Sequence, residues 1–299
     1  MPKKAFHVII KRINLEGDDM HNKNLLVAPV LKWVGGKRQL MDEIKRYLPE
    51  DVNKRTYYEP FMGGAAVLFE LQPKKAIVND VNQELINVYK TIRDNVEELI
   101  LDLKKHENTS EYFYEVRDLD RDKVKYQALS DLERASRILY LNKTCFNGLF
   151  RVNSSGEFNV PYGKYKNPNI VNEITLRAVS NYFNSSKIEF RCGDFEDAIK
   201  GIRKNSFVYL DPPYDPVSDS SSFTGYAKGG FGREEQIRLK EMVDRLTEKG
   251  VKVMLSNSYT EFILDLYSDY RVEIVYAKRN VNAVANKRGE IKEVLVMNY

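Results

Sequence analysis

Ser206-Phe207-Val208-Tyr209-Leu210-Asp211-Pro212-Pro213-Tyr214 is the stretch on which the fold turns. Its first five residues are apolar and aromatic enough for a buried strand. Asp-Pro-Pro then stops that strand, because proline donates nothing to a ladder and pushes the residue before it away from helical geometry. A carboxylate, a rigid prolyl carbonyl and an aromatic ring are thereby gathered at the carboxyl end of a strand, where open α/β sheets put their chemistry. The set suits an exocyclic amine: the Asp211 carboxylate and the Pro212 carbonyl are two acceptors, and Tyr214 can stack on a flat ring. Taken alone, Asp-Pro-Pro-Tyr is equally a simple turn. The rest of the chain decides between the two.

Upstream, Thr56 to Phe61 reads as a short strand, and Met62-Gly63-Gly64-Ala65-Ala66 opens a helix to about Leu71. A second strand, Ala76 to Asn79, ends in Asp80, and a helix follows from Gln83 to about Arg93. A strand, a glycine turn, a helix, a strand and then an acid follow the logic of a nucleoside site, in which the acid accepts hydrogen bonds from ribose hydroxyls. A generic βαβ unit has the same outline. Earlier still, Lys32-Trp33-Val34-Gly35-Gly36-Lys37 precedes an amphipathic stretch from Arg38 to Leu48. Its glycines would let backbone approach a ligand at a helix start, but it lacks the spacing of a phosphate-binding loop. Residues 1–28 read as an extension without sustained periodicity.

Between about Val96 and Phe183 the sheet pattern pauses. Helices are expected from Tyr112 to Tyr126 and from Asp131 to Leu141. Ser154-Ser155-Gly156 is a turn between two strand-like arms, with basic and aromatic residues interleaved from Phe146 to Lys166. That composition suits a nucleic-acid finger, and also a solvated hairpin. The sheet resumes at Ile188 to Cys192, followed by Gly193-Asp194-Phe195. After Tyr214, a Ser- and Gly-rich loop from Ser218 to Gly232 should be mobile. A helix from Glu234 to Gly250, a strand from Val251 to Leu255, a helix from Glu261 to Tyr267 and an antiparallel pair, Val272–Ala277 with Glu293–Asn298 across a basic loop, complete the chain.

The bulk composition constrains function loosely. At 299 residues, with 42% hydrophobic and 30% charged residues, the chain can build one large core and a smaller module. A net charge of +4 permits an anionic partner without demanding one. Cys145 and Cys192 make neither a metal spacing nor a disulfide framework, which fits a reducing, cytoplasmic setting. Three dispersed histidines argue against a metal site, and no apolar run reaches membrane-spanning length.

Taken in order, Lys32-Trp33-Val34-Gly35-Gly36-Lys37, Glu59-Pro60-Phe61-Met62-Gly63-Gly64, Asp80, Asn147-Gly148-Leu149-Phe150-Arg151, Gly193-Asp194-Phe195 and Asp211-Pro212-Pro213-Tyr214 resemble the Dam-type DNA adenine methyltransferases over about residues 29–299. These are the alpha-class enzymes that modify adenine in GATC. The resemblance implies S-adenosylmethionine (AdoMet) as cofactor and double-stranded DNA as partner. It further implies a monomer of bacterial or phage origin, and leaves room for a cognate restriction endonuclease. The implied fold is α/β: a Rossmann-like sheet with a reversed last strand, plus an inserted, mainly helical DNA-recognition domain carrying a β-hairpin. Residues 29–95 and 186–299 would form the catalytic domain and 96–185 the recognition domain. The family's Phe-x-Gly-x-Gly turn ends here in Ala65.

By the same resemblance, Trp33 and Lys37 would lie near the methionine end of the cofactor, with Phe61 and Gly63 in its loop and Asp80 on its ribose. Asp194 and Phe195 would contact its adenine, and Asp211 both cofactor and substrate. Asp211, Pro212, Pro213 and Tyr214 would form the catalytic turn. Lys32 would meet the first guanine, Leu149 and Pro161 the thymine methyl, and Arg151 the guanine opposite the final cytosine. Phe146, beside Asn147, would fill the stack vacated by a flipped base. Three rivals stay open: a recognition sequence other than GATC, an amine in protein or RNA, and a DNA-binding module without catalysis.

Overall fold

The computed structural model describes residues 23–33, 35–217, 230–278 and 290–299. The expectations for residues 1–22, for Val34, for residues 218–229 of the polar loop and for the basic loop at 279–289 lie outside the described residues. Seven strands form one sheet: β1 (Thr56–Glu59), β2 (Lys75–Asp80), β3 (Lys187–Cys192), β4 (Ser206–Leu210), β5 (Lys252–Ser258), β6 (Arg271–Lys278) and β7 (Glu290–Met297). Their spatial order is β3-β2-β1-β4-β5-β7-β6. The first five are parallel, and β7 runs antiparallel to both β5 and β6, which is the reversed last strand expected.

All five residues of β4 are buried, because the strand is covered on both faces. Its pleat divides them between two cores: Phe207 and Tyr209 join one, Val208 and Leu210 the other. Tyr57 and Tyr58 of β1 split in the same way. The helices are α1 (Met41–Tyr47), α2 (Ala66–Leu71), α3 (Gln83–Asp94), α4 (Val96–Leu103), α5 (Ser110–Asp118), α6 (Lys123–Ala128), α7 (Asp131–Thr144), α8 (Glu173–Ser185), α9 (Phe195–Ala198), α10 (Arg233–Glu248) and α11 (Glu261–Leu266). Asn82 caps α3, whose Leu85, Ile86, Val88, Tyr89 and Ile92 are buried. Ser130 and Glu133 form a capping box at the start of α7. None of the described helices is long and apolar enough to cross a membrane.

The helical insertion departs from its sequence reading in three places. The helix expected from Tyr112 to Tyr126 is two helices, α5 and α6, joined by a 3-10 turn at Leu119–Arg121. The break follows from two aspartates: Asp120 turns inward to Arg137 at 2.8 Å, and Asp122 caps α6 by accepting from the Lys125 amide. Helices α4 and α8 occupy stretches where periodicity had suggested only a pause, and both pack against α3 or α7. The arms of the hairpin meet through single bridges, Val152↔Phe158 and Cys145↔Tyr162, instead of a continuous ladder. Asn153 braces its tip, its side-chain oxygen accepting from the Ser155 and Glu157 amides.

Candidate active site

In the parallel pairing of β1 with β4, Tyr58 faces Val208, so Glu59-Pro60-Phe61 and Asp211 leave the sheet side by side. Asp211 Oδ1 accepts from Lys37 Nζ at 2.8 Å and from Ser256 Oγ of β5 at 2.9 Å. Burial pushes the Asp211 carboxyl above its usual range, while the Lys37 ammonium and the Ser256 hydroxyl pull it back in part. The same ammonium donates to the Gly35 carbonyl at 2.7 Å and stands 4.5 Å from the centre of the Tyr214 ring. Carboxylate, cation and ring thus form one cluster, with Lys37 buried and Asp211 and Tyr214 partly buried.

The proline turn is held from behind. Gln236 of α10 donates to the Pro213 carbonyl at 2.8 Å, and Asn257 of β5 donates to Gln236 at 3.1 Å. Asn257 in turn accepts from the Asp215 amide at 3.1 Å. Tyr214 donates its hydroxyl to Glu293 of β7 at 2.8 Å. No described residue donates to the Pro212 carbonyl, so the turn presents that acceptor beside Asp211.

A second cluster lies at the ends of β1, β2 and β3. Gly63 has a positive φ of 45°, and Trp33 lies so close that a Cβ on Gly63 would come within 2.9 Å of its Cδ1. Ala65 also takes the left-handed region, φ 57°, where a glycine costs nothing and alanine costs about 1–2 kcal/mol. Asp80 accepts from the amides of Gly63 at 3.0 Å and Asn82 at 2.9 Å, and burial raises its carboxyl above the usual range. Phe61 and Phe195 lie 5.4 Å apart, and Phe231 closes the trio at 5.7 and 6.0 Å. The Arg238 guanidinium covers Phe195 at 4.3 Å and pairs with Asp194. Asn79 donates to the Pro60 and Gly193 carbonyls, which ties the loop of Phe61 to that of Asp194.

Sequence reading passed over Phe231, Gln236, Arg238, Ser256 and Asn79. Gln236 and Arg238 sit in an ordinary amphipathic helix, and Ser256 and Asn79 in ordinary strands. The Ser256 signal was available in principle, as a polar residue in a run of buried ones.

The third cluster is the hairpin. Phe146 is half exposed and its amide donates to the Pro161 carbonyl at 2.8 Å, which sets those two side by side. Asn147 is exposed with φ 57°, and Leu149 is half-buried. The exposed Arg151 donates Nε to Asn159 Oδ1 at 2.8 Å, across the hairpin. Trp33 stacks on Phe150 at 4.8 Å, and Lys32, itself exposed, joins this face through its backbone.

A cleft of about 950 Å³ at the opposite end of the sheet is lined by Arg46, Tyr47, Lys252, Arg271 and Tyr299. Its Lys252 and Arg271 are neutralised by Asp51 at 3.1 Å and Glu273 at 2.8 Å. Among the described residues no group of three or more His, Cys, Asp or Glu is placed to hold a metal ion.

Replacing Tyr214 separates ring from hydroxyl. Under the resemblance drawn from the sequence, Tyr214 would stack on an extruded base; Tyr214→Phe loses the bond to Glu293 and is then expected to keep the methyl transfer which that resemblance implies within about tenfold of the parent, the size of one hydrogen bond. Tyr214→Ala should lose about 5- to 150-fold, the worth of one base–aromatic stack. Single-turnover rates at saturating substrate distinguish the two, and equal losses would remove the ring from the reaction.

A family model described as D12 class N6 adenine-specific DNA methyltransferase matches residues 33–282. The chain is 45% identical over 282 residues to the Type II methyltransferase M1.LlaDCHI of Lactococcus lactis subsp. cremoris, covering 94% of this chain and 98% of that protein. It is 43% identical over 291 residues to the Type II methyltransferase M.MjaIII of Methanocaldococcus jannaschii, covering 91% and 99%. With the DNA adenine methylase of Escherichia coli K12 it shares 31% identity over 272 residues, 89% of this chain and 94% of that one.

Proposed function

Since the chain belongs to the D12 class of N6 adenine-specific DNA methyltransferases and uses AdoMet, we propose that it methylates adenine in GATC after flipping the base out of duplex DNA. The observation that carries this reading is the partly buried Lys37–Asp211–Tyr214 cluster beside the Pro212 carbonyl. When bound, AdoMet supplies an electrophilic methyl on its sulfonium. Asp211 and the Pro212 carbonyl accept hydrogen bonds from the target amine and favour a pyramidal nitrogen with an available lone pair. Tyr214 gives the extruded ring a surface to replace its lost stacking. Because Lys37 already binds Asp211 and covers Tyr214, its ammonium must yield part of this position to the substrate amine.

The cofactor's needs match the second cluster. The bare backbone at Gly63 lets the Trp33 indole close against the loop, Asp80 keeps lone pairs for ribose hydroxyls, and the half-buried Phe61 and Phe231 would offer aromatic faces for a purine. Trp33 and Lys37 would border its methionine end, with Asp194 on its adenine. We assign recognition to residues 96–185 and catalysis to 29–95 and 186–299. Helix α8 packs on α3 and β3, so the two units would share a continuous junction. Lys32, Phe146, Asn147, Leu149, Arg151 and Pro161 would form the DNA-reading face. A monomer acting in the cytoplasm, with a cognate restriction endonuclease in the same system, completes the reading and rests on the family alone.

Incubating the protein with AdoMet and random-sequence duplex, then mapping modified adenines by long-read sequencing, tests the specificity. Modification confined to GATC is expected; a different consensus would replace GATC by the alternative recognition sequence. Arg151 has the planar fork that matches guanine O6 and N7. Arg151→Ala is therefore expected to cost about 1–3 kcal/mol on GATC and much less on sites altered at the last pair. Values of kcat/KM on GATC and its single-pair variants decide this, and a uniform loss would sink the readout role.

A further inference from the structure

Asn142 lies near the end of α7, and only 2% of it is exposed. Its side-chain amide treats Lys32 as a strand neighbour would. Oδ1 accepts from the Lys32 amide at 2.8 Å, and Nδ2 donates to the Lys32 carbonyl at 2.8 Å. Nδ2 also donates to the Gly148 carbonyl at 3.0 Å. One side chain therefore fastens the segment carrying Lys32 to the turn that begins the hairpin. A flipped amide would set an oxygen against two carbonyls, so the orientation is determined by its partners.

Gly148 makes an independent, steric connection to the same joint. It has φ +64°, and a Cβ there would lie 2.4 Å from Lys32 Cδ and 3.2 Å from the Asn142 carbonyl oxygen. The aliphatic stem of Lys32 thus runs across the bare backbone of the hairpin's first turn. Lys32 belongs to the segment leading into the catalytic domain, while Arg151 belongs to the hairpin. Their relative placement depends on this joint.

We infer that Asn142 is a specificity-determining positioning residue, which holds Lys32 in register with the hairpin so that one protein surface reads both ends of the recognition sequence. The inference rests on the proposed reading of Lys32 and the hairpin as base-contacting elements. Asn142 itself touches neither substrate nor cofactor. It acts by holding the Lys32 backbone, from which the reading side chain projects.

Three variants assayed on GATC and its single-pair variants test this. Asn142→Asp keeps the acceptor for the Lys32 amide and loses both donors. Gly148→Ala disturbs the joint from the hairpin side and leaves the Asn142 side chain itself unaltered. Lys32→Ala identifies the base pair that Lys32 reads. The expected result is that Asn142→Asp and Gly148→Ala each lower discrimination by about tenfold at the pair exposed by Lys32→Ala, the scale of lost hydrogen bonds in a buried joint. Discrimination at the pair exposed by Arg151→Ala should change much less, and AdoMet affinity, measured by equilibrium dialysis, should stay within about twofold. If Lys32→Ala is selective while Asn142→Asp and Gly148→Ala lower every substrate alike, the positioning role is overturned. If Lys32→Ala itself lowers every substrate alike, the reading of Lys32 fails and the inference falls with it. Should Asn142→Asp not fold, Gly148→Ala alone carries the test, and a uniform loss there is decisive against the inference.

Discussion

Asp211→Ala is expected to lower the rate of methyl transfer by about two to three orders of magnitude, the usual contribution of one preorganised electrostatic partner at a reacting atom. The carboxylate is held in place before any substrate arrives. Lys37 and Ser256 both bind its Oδ1, and the turn beyond it is fixed through Gln236 and Asn257. Alanine would leave the Lys37 ammonium bonded to the Gly35 carbonyl and lying over Tyr214, with no acceptor to exchange for the substrate amine. The fold should survive with lowered stability: the buried Lys37 ammonium loses its carboxylate but keeps the Gly35 carbonyl, and the turn keeps its Gln236 and Asn257 braces. Asp211→Asn keeps an acceptor but not the charge, and should fall between parent and alanine. Single-turnover transfer measures the effect, and retention of more than about a hundredth of parental rate would take Asp211 out of catalysis.

The same residue sets the direction of the pH response. Burial raises the Asp211 carboxyl, so it takes up a proton at a higher pH than an ordinary carboxyl does. In the proposed mechanism the reactive form is the carboxylate. Activity should therefore fall as pH drops through a value above the usual carboxylate range, and Asp211→Asn should abolish that limb of the profile.

Asp120→Ala is expected to destabilise the protein by about 3–5 kcal/mol, the cost of leaving a buried charge without its partner. Asp120 is buried and serves three donors: Arg137 at 2.8 Å, Arg121 at 2.6 Å and the Phe158 amide at 2.8 Å. Arg137, only 2% exposed, retains the Val116 and Arg117 carbonyls, but neither neutralises its charge. The Phe158 amide would lose its acceptor as well, and Phe158, with Phe150 and Val160, carries the hairpin into the core. The variant should therefore lose sequence discrimination as well as stability. Urea unfolding gives the loss of stability, from a shift of the midpoint at constant slope. A loss below about 1 kcal/mol would mean that the pair contributes no more than a surface bridge does.

Much of the scaffold was legible because its signals are local. The strand at Ser206–Leu210 declares itself by composition, and the prolines after it end it for a covalent reason. The helix expected from Gln83 to about Arg93 forms as Gln83–Asp94, its apolar face written within one short window. Where several short polar turns compete, as between Asp118 and Asp122, periodicity ran straight through a break. That break exists because Arg137, from another helix, draws Asp120 inward.

By itself, the sequence determined which backbone segments form the sheet and most of the helices beside it, and which chemical groups stand at the strand ends. Those follow from short-range sterics, proline and glycine geometry, and hydrophobic period. Only the tertiary structure decided that Lys37 meets Asp211 and Tyr214, that Asn142 joins Lys32 to Gly148, and that Phe231 completes a ring trio with Phe61 and Phe195. These partners lie far apart along the chain and carry no shared local pattern. Their meeting depends on the parallel register of β1 with β4 and on where the loops return, because side-chain hydrogen bonds act only over about 3 Å.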